Sequence, residues 1–97
     1  MYKMLLLLKK TEDEFQEKIF EENIVNQLSE ATGKKLLIGK VDSSLLLENE
    51  YLKFCEVNFA SKDEMDELLA SAKGKEFSKN FSQLAKLVTV ILVNYEN

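Results

Sequence analysis

The sequence predicts an α+β fold of order β-α-β-β-α-β, with a four-stranded antiparallel sheet and both helices on one face. Three observations carry that prediction. Apolar runs of strand length stand near the start, MLLLL, and near the end, LVTVILV. Two segments open with the Ser/Thr-x-x-Glu pattern of a helix start, Thr11-Glu-Asp-Glu14 and Ser61-Lys-Asp-Glu64. Between them, Tyr51 to Ala60 alternates apolar and polar residues as a strand does. Strand–helix–strand used twice with right-handed crossovers is the split βαβ, or ferredoxin-like, arrangement.

Each element follows from local signals. Tyr2 to Lys9 is apolar but too short for a core helix, so it reads as a buried strand. Thr11 is expected to cap the first helix, with Glu14 reaching back. Thr32-Gly33 supplies a left-handed stop. On that helix Phe20, Ile24, Leu28 and Ala31 share a band about 80° wide, while Phe15 and Ile19 lie roughly opposite. The helix is therefore kinked near Glu21 to Asn23, or its first turns pack on something different from its last. Lys35 to Leu47 reads as the second strand, with a bulge or close backbone approach at Gly39. Glu48-Asn49-Glu50 reads as a turn. In the third strand Tyr51, Cys55, Val57 and Phe59 are placed on one side, and Phe54, Glu56 and Asn58 on the wetter other. Ser61 to Lys86 is the second helical region. Met65, Leu68, Leu69 and Ala72 lie roughly 150° from Phe77, Phe81, Leu84 and Ala85 on one straight helix, so it must break. Ser71 is the expected break, giving helices at 62–70 and 72–84. Leu87 to Tyr95 is apolar on both faces, as in a strand that is central or buried by a partner subunit.

Ninety-seven residues make one domain, 1–97, with a modest core. The formal charge is −4, with no Arg, and no basic face with stacking aromatics is visible, which argues against nucleic acid. The apolar runs are too short to span a bilayer, and no signal-peptide pattern opens the chain, so a cytoplasmic protein is expected. With one Cys there is no disulfide framework. With no His there is no histidine base, metal ligand or haem ligand, and one Cys alone makes no zinc site. The three glycines stand apart, so no phosphate loop exists. No metal or cofactor is expected. The first strand is apolar on both sides, with Leu5 and Leu7 on one and Met4, Leu6 and Leu8 on the other. Helices can cover only one face, so the other is expected to be covered by a second copy of the chain.

The pattern and spacing of several residues resemble the EthD-like family, named for an ethyl tert-butyl ether degradation protein, within the dimeric α+β barrel superfamily. These are Lys3 in strand one, the helix-opening Phe15, Thr32-Gly33, and above all FCEVNFASKDEMDELLASAKGKEFSKNFSQLAKLVTVILVNYEN. The resemblance covers nearly the whole chain and implies a dimeric α+β barrel. The departures matter. The family's helix-one His is Asn23 here, a following Pro is Val25, an Asp of the second helix is Asn80, and a Ser-Pro helix start is Ser71-Ala72. Asn cannot titrate near neutral pH, so proton transfer by that His is not inherited.

The resemblance implies binding of a small apolar molecule in a cleft between helices and sheet. Asn23, Phe20, Tyr51, Phe77 and Phe81 are the candidate ligand residues. Each also has a plainer reading: a solvated or backbone-bonded Asn, and phenylalanines that belong to the core. Cys55 reads as packing, because a nucleophile lacks an activating base. Glu56 and Asn58 read as hydrogen-bonding groups of a dimer interface or barrel interior. Lys73, Lys75 and Lys79 read as a solvated face. Two alternatives stand beside binding. One is a cofactor-independent oxygenase or isomerase acting on a small aromatic or quinone-like substrate, positioned by Asn23, Tyr2, Tyr51 or Tyr95. The other is a non-catalytic structural or regulatory module. No residue is assigned as catalytic.

Overall fold

The computed structural model describes residues 1–41 and 50–95. The elements are β1 Tyr2–Lys9, α1 Glu14–Ile19, a π-helical segment Phe20–Val25, α2 Asn26–Thr32, β2 Leu37–Lys40, β3 Tyr51–Phe59, α3 Lys62–Ala70, α4 Ala72–Ser82 and β4 Val88–Asn94. The strands form an antiparallel sheet in the order β2-β3-β1-β4, with the helices on one face. This is the expected ferredoxin-like α+β fold.

The core lies between that face and the helices. Tyr2, Met4, Leu6 and Leu8 of β1 are buried, while the alternate residues Lys3, Leu5 and Leu7 are only half-buried. Cys55, Val57 and Phe59 of β3 join the buried set, packed with Phe20, Ile24, Leu28, Met65 and Phe77 from the helical layer. Each large side chain so removed from water contributes about 1.5–3 kcal/mol.

Several local expectations change. The first helix is capped by Asp13, whose Oδ1 accepts from the Phe15 N–H at 2.9 Å, and not by Thr11. Thr11 Oγ1 instead accepts from the Asp13 N–H at 3.1 Å. A carboxylate beside the first turn also complements the positive helix end, an advantage the Thr hydroxyl lacks. The second strand is shorter than expected, and the Lys35–Leu47 and Glu48–Glu50 readings fall partly on residues 42–49, outside the described residues. No bulge occurs at Gly39, which pairs in regular register with Phe54. The irregularity is opposite, between Leu8 and Lys9, where Leu8 pairs with Lys53 but Lys9 pairs with Tyr51. Leu52 is thus the extra residue. It shifts Tyr51 to the side of Lys3, Leu5 and Leu7, not that of Cys55. The terminal strand β4 is not central but at the edge, paired to β1 alone among the described strands.

The two helical regions meet their misaligned apolar stripes differently. In the first, the chain winds into a π-helix at 20–25, where the kink was expected, and this brings Phe20, Ile24 and Val25 into the core. Phe15 is left 67% exposed. The first region ends at Gly33 with φ 69°, a left-handed conformation that favours glycine. In the second, Ser71 adopts an extended conformation, ends α3 and caps α4. Its Oγ donates to the Leu68 carbonyl at 2.6 Å and accepts from the Gly74 N–H at 3.1 Å. Gly74 allows this sharp turn sterically. A Cβ there would lie 2.4 Å from the Leu69 carbonyl oxygen and 2.5 Å from that of Leu68.

Two tests follow from this packing. Gly74→Ala improves helix propensity by about 1 kcal/mol, yet it should destabilise the fold by about 1–3 kcal/mol, because the methyl group meets rigid backbone. Urea unfolding decides the sign, and a raised midpoint would refute the close-approach argument. Burial, with the Glu56 charge second, pushes the Cys55 thiol from 9.0 to about 11. The folded protein then holds its proton while the unfolded chain ionises, so this thiol should reduce stability as pH rises from 9 to about 11. At pH 8 the thiol should resist a maleimide until denaturant is added; rapid labelling of the native protein would refute its burial.

Candidate functional site

The sheet face turned away from the helices carries the side chains that the core leaves out. On β1 these are Lys3, Leu5 and Leu7. The register sets Leu5 between Glu56 and Ile91, Leu7 between Phe54 and Thr89, and Lys3 between Asn58 and Val93. Leu37 of β2 pairs with Glu56 and extends the face to the outer edge. Period-2 alternation therefore assembles a mostly apolar surface from four strands. Ile91 is 42% exposed and Leu37 is 72% exposed.

The two outer strands are apolar on their other sides as well. Ile38 aligns with Cys55, and Val90 and Leu92 align with Leu6 and Met4, yet all three are exposed. The helical layer thus stops short of both edges. A long, uncharged and apolar edge strand such as β4 is a ready template for another chain.

One charged cluster interrupts this face. Lys3 Nζ lies 3.3 Å from Glu56 Oε2 and 5.4 Å from the centroid of the Tyr95 ring. Tyr95 continues the β1–β4 ladder, its N–H donating to the Met1 carbonyl at 3.0 Å. The Tyr95 hydroxyl, and after it Glu56, hold the Lys3 pKa above its ordinary value. A second charged cluster lies on the helix side. Lys53 Nζ is 3.2 Å from Glu17 Oε1 and also bonds Glu21. Glu17 and Glu21 are four apart on the first helical region, spaced to meet one cation. That cluster is not legible in the sequence, because only strand pairing reveals which lysine stands beneath the two glutamates.

The five candidate ligand residues are not gathered into one cleft. Phe20 is fully buried and Phe77 nearly so, both in the core. Phe81 is half-buried, with its ring centroid 5.8 Å from that of Phe77. Asn23 is exposed on the π-helical segment, and Tyr51 is half-buried opposite Lys9. Asn80, where the family has Asp, donates from Nδ2 to Gln27 Oε1 at 2.8 Å and ties α4 to α2. Depressions bounded by described residues lie elsewhere. One is lined by Lys34, Lys35, Leu37, Glu56, Val57 and Asn58, and another by Lys10, Thr11, Glu12 and Leu52. Among the described residues, no group of three or more His, Cys, Asp or Glu is placed to hold a metal. No helix among them is long and apolar enough to cross a membrane.

No protein-family model and no curated protein matches the chain. Solved structures do match. An ethyl tert-butyl ether degradation family protein from Bacillus halodurans C-125 superposes with a TM-score of 0.81 at 16% identity, over 99% of each chain. A dimeric ferredoxin-like protein of unknown function from Jannaschia sp. CCS1 gives a TM-score of 0.71 at 12% identity, over 97% of this chain and 98% of that one. A protein of Arabidopsis thaliana gives 0.65 at 22% identity, over 100% and 95%. Identities this low speak for the fold. The resemblance read from the sequence is met in the first of these structures: the chain has the fold of an ethyl tert-butyl ether degradation family protein.

Proposed function

We propose that the chain works as a homodimer joined through the open sheet face. The observation that carries this is the placement of its exposed large hydrophobics. On that face Leu37 and Ile91 are exposed, alongside the half-buried Leu5, Leu7 and Phe54, while Ile38, Val90 and Leu92 are exposed on the other side of the same edge strands. A continuous apolar surface of this kind is what a partner covers. The two-fold association of like faces is the simplest closed solution. The dimeric description of the Jannaschia protein and of a ferredoxin-like protein from Bacteroides fragilis supports the same reading.

Within that dimer we read a binding or accessory role, with a small apolar molecule as the ligand. Two features support it: the resemblance to the ethyl tert-butyl ether degradation family, and the π-helical segment, a winding frequent at functional sites. The reading puts such a ligand outside the closed core. Phe20, Ile24 and Val25 are closed into the core around Asn23, so the ligand belongs at the rim of the helical layer near exposed Asn23. That filled core, together with Asn in the place of a titrating His, favours binding over oxygenase or isomerase chemistry.

Sedimentation equilibrium tests the assembly. A dimer at micromolar concentration is expected. Ile91→Asp places an unpaired carboxylate in the interface and should weaken it by about a hundredfold or more, with native circular dichroism. A wild-type monomer at that concentration would refute the reading. For the ligand, native mass spectrometry of the dimer titrated with a panel of small apolar and aromatic compounds should show a bound species that Asn23→Ala weakens. No adduct across the panel would count against binding.

A further inference from the structure

The open face contains one charged pair, Lys3 with Glu56, set among Leu5, Ile91 and Val93 and capped by Tyr95. A surface ion pair contributes little to stability by itself, and a charged pair on an apolar contact face opposes its burial. Yet this pair is built rather than incidental. It bridges β1 and β3, Tyr95 supports it from beyond β4, and the Lys3 side chain is only 18% exposed before any partner arrives. Both charges come from one chain, so the cluster brings no net charge to a contact. Neither group needs a partner's charge to be satisfied.

We propose that Lys3, Glu56 and Tyr95 form the specificity lock of the homodimer. This cluster is neutral within one chain. It enters the interface beside the apolar stripe and admits a second copy only in an alignment that leaves the pair intact. The inference rests on the homodimer reading above. A purely apolar face could slide against its partner in several alignments. A buried pair penalises every alignment that separates or strips one of its charges. Setting register by a buried polar group is the best-attested use of such groups. Here the occupant is a second copy of this chain, because proteins sharing this fold are described as dimeric and a charge-neutral cluster brings no like-charge repulsion when the same face meets itself.

The lock and the dimer fail differently. Dimer dissociation constants are measured by sedimentation for wild type, Lys3→Met, Glu56→Gln and the double variant Lys3→Met/Glu56→Leu. Urea unfolding reports each monomer's fold. Each single variant leaves one charge unpaired in the contact and should weaken dimerisation by at least about tenfold. The double variant should return to within about threefold of wild type. It should also lose uniqueness of alignment, seen as doubled resonances for interface methyl groups. Lys53→Met, which breaks the charged cluster on the helix face, should lower the urea midpoint and leave the dimer constant unchanged. Single variants that dimerise like wild type would overturn the lock while leaving the dimer standing. A comparable dimer loss in Lys53→Met would overturn it too, by showing general loosening. A monomeric wild type would overturn the lock and the homodimer together.

Discussion

A sheet has two faces, and every other feature of this protein answers to how they are covered. The helical layer closes over Leu6, Leu8, Cys55 and Phe59 and leaves Leu5, Leu7, Phe54 and Ile91 on the other side. Apolar surface on this scale costs free energy in proportion to its area in water, so the open face is the dominant unmet demand of the single chain. The edges sharpen that demand. β4 is apolar on both sides and its outer ladder pairs with no described strand, and β2 exposes Leu37 on one side and Ile38 on the other. Packing face to face alone would not cover Val90 and Leu92, which align with the helix-side residues Leu6 and Met4.

The helical layer reaches its covering geometry by breaking regularity twice. The first region winds into a π-helical segment at 20–25, which is buried at Phe20, Ile24 and Val25, and the extended Ser71 re-aims the second region. The two corrections are built differently. The first is spread over six residues, within a continuous helical run. The second is a single residue, stabilised by the reciprocal hydrogen bonds of the Ser71 hydroxyl and allowed by the absence of a side chain at Gly74. The contact of α2 with α4, tied by Asn80 and Gln27, then joins the corrected halves into one layer.

The Cys55 thiol is buried, with its pKa raised, and Asn23 cannot move a proton. Among the described residues, Lys34 pairs with Glu64, Lys53 with carboxylates on the helix side, and Lys3 with Glu56 on the open face. The Lys53 pair fastens the first helical region to β3. The Lys3 pair fastens β1 to β3 on the face that the helices leave open.

Much of this was legible in the residues. The order of elements, the Ser61 cap, the Gly33 stop and the break at Ser71 follow from period, capping and left-handed preference, which are local properties of a few neighbouring residues. The uncovered face also follows, because Leu5 and Leu7 alternate with Leu6 and Leu8 whatever the strand pairs with. Other features needed tertiary structure. Capping by Asp13 in preference to Thr11 depends on where the chain enters the helix. The bulge at Leu52 depends on register with β1, and it alone moves Tyr51 to the other side. The edge position of β4, the burial of Phe20 and Phe77 away from any open cleft, and the pairings of Lys3 with Glu56 and of Lys53 with Glu17 and Glu21 all join residues distant in sequence. Sequence periodicity determines which face a side chain takes, but only the packed sheet decides what stands across from it.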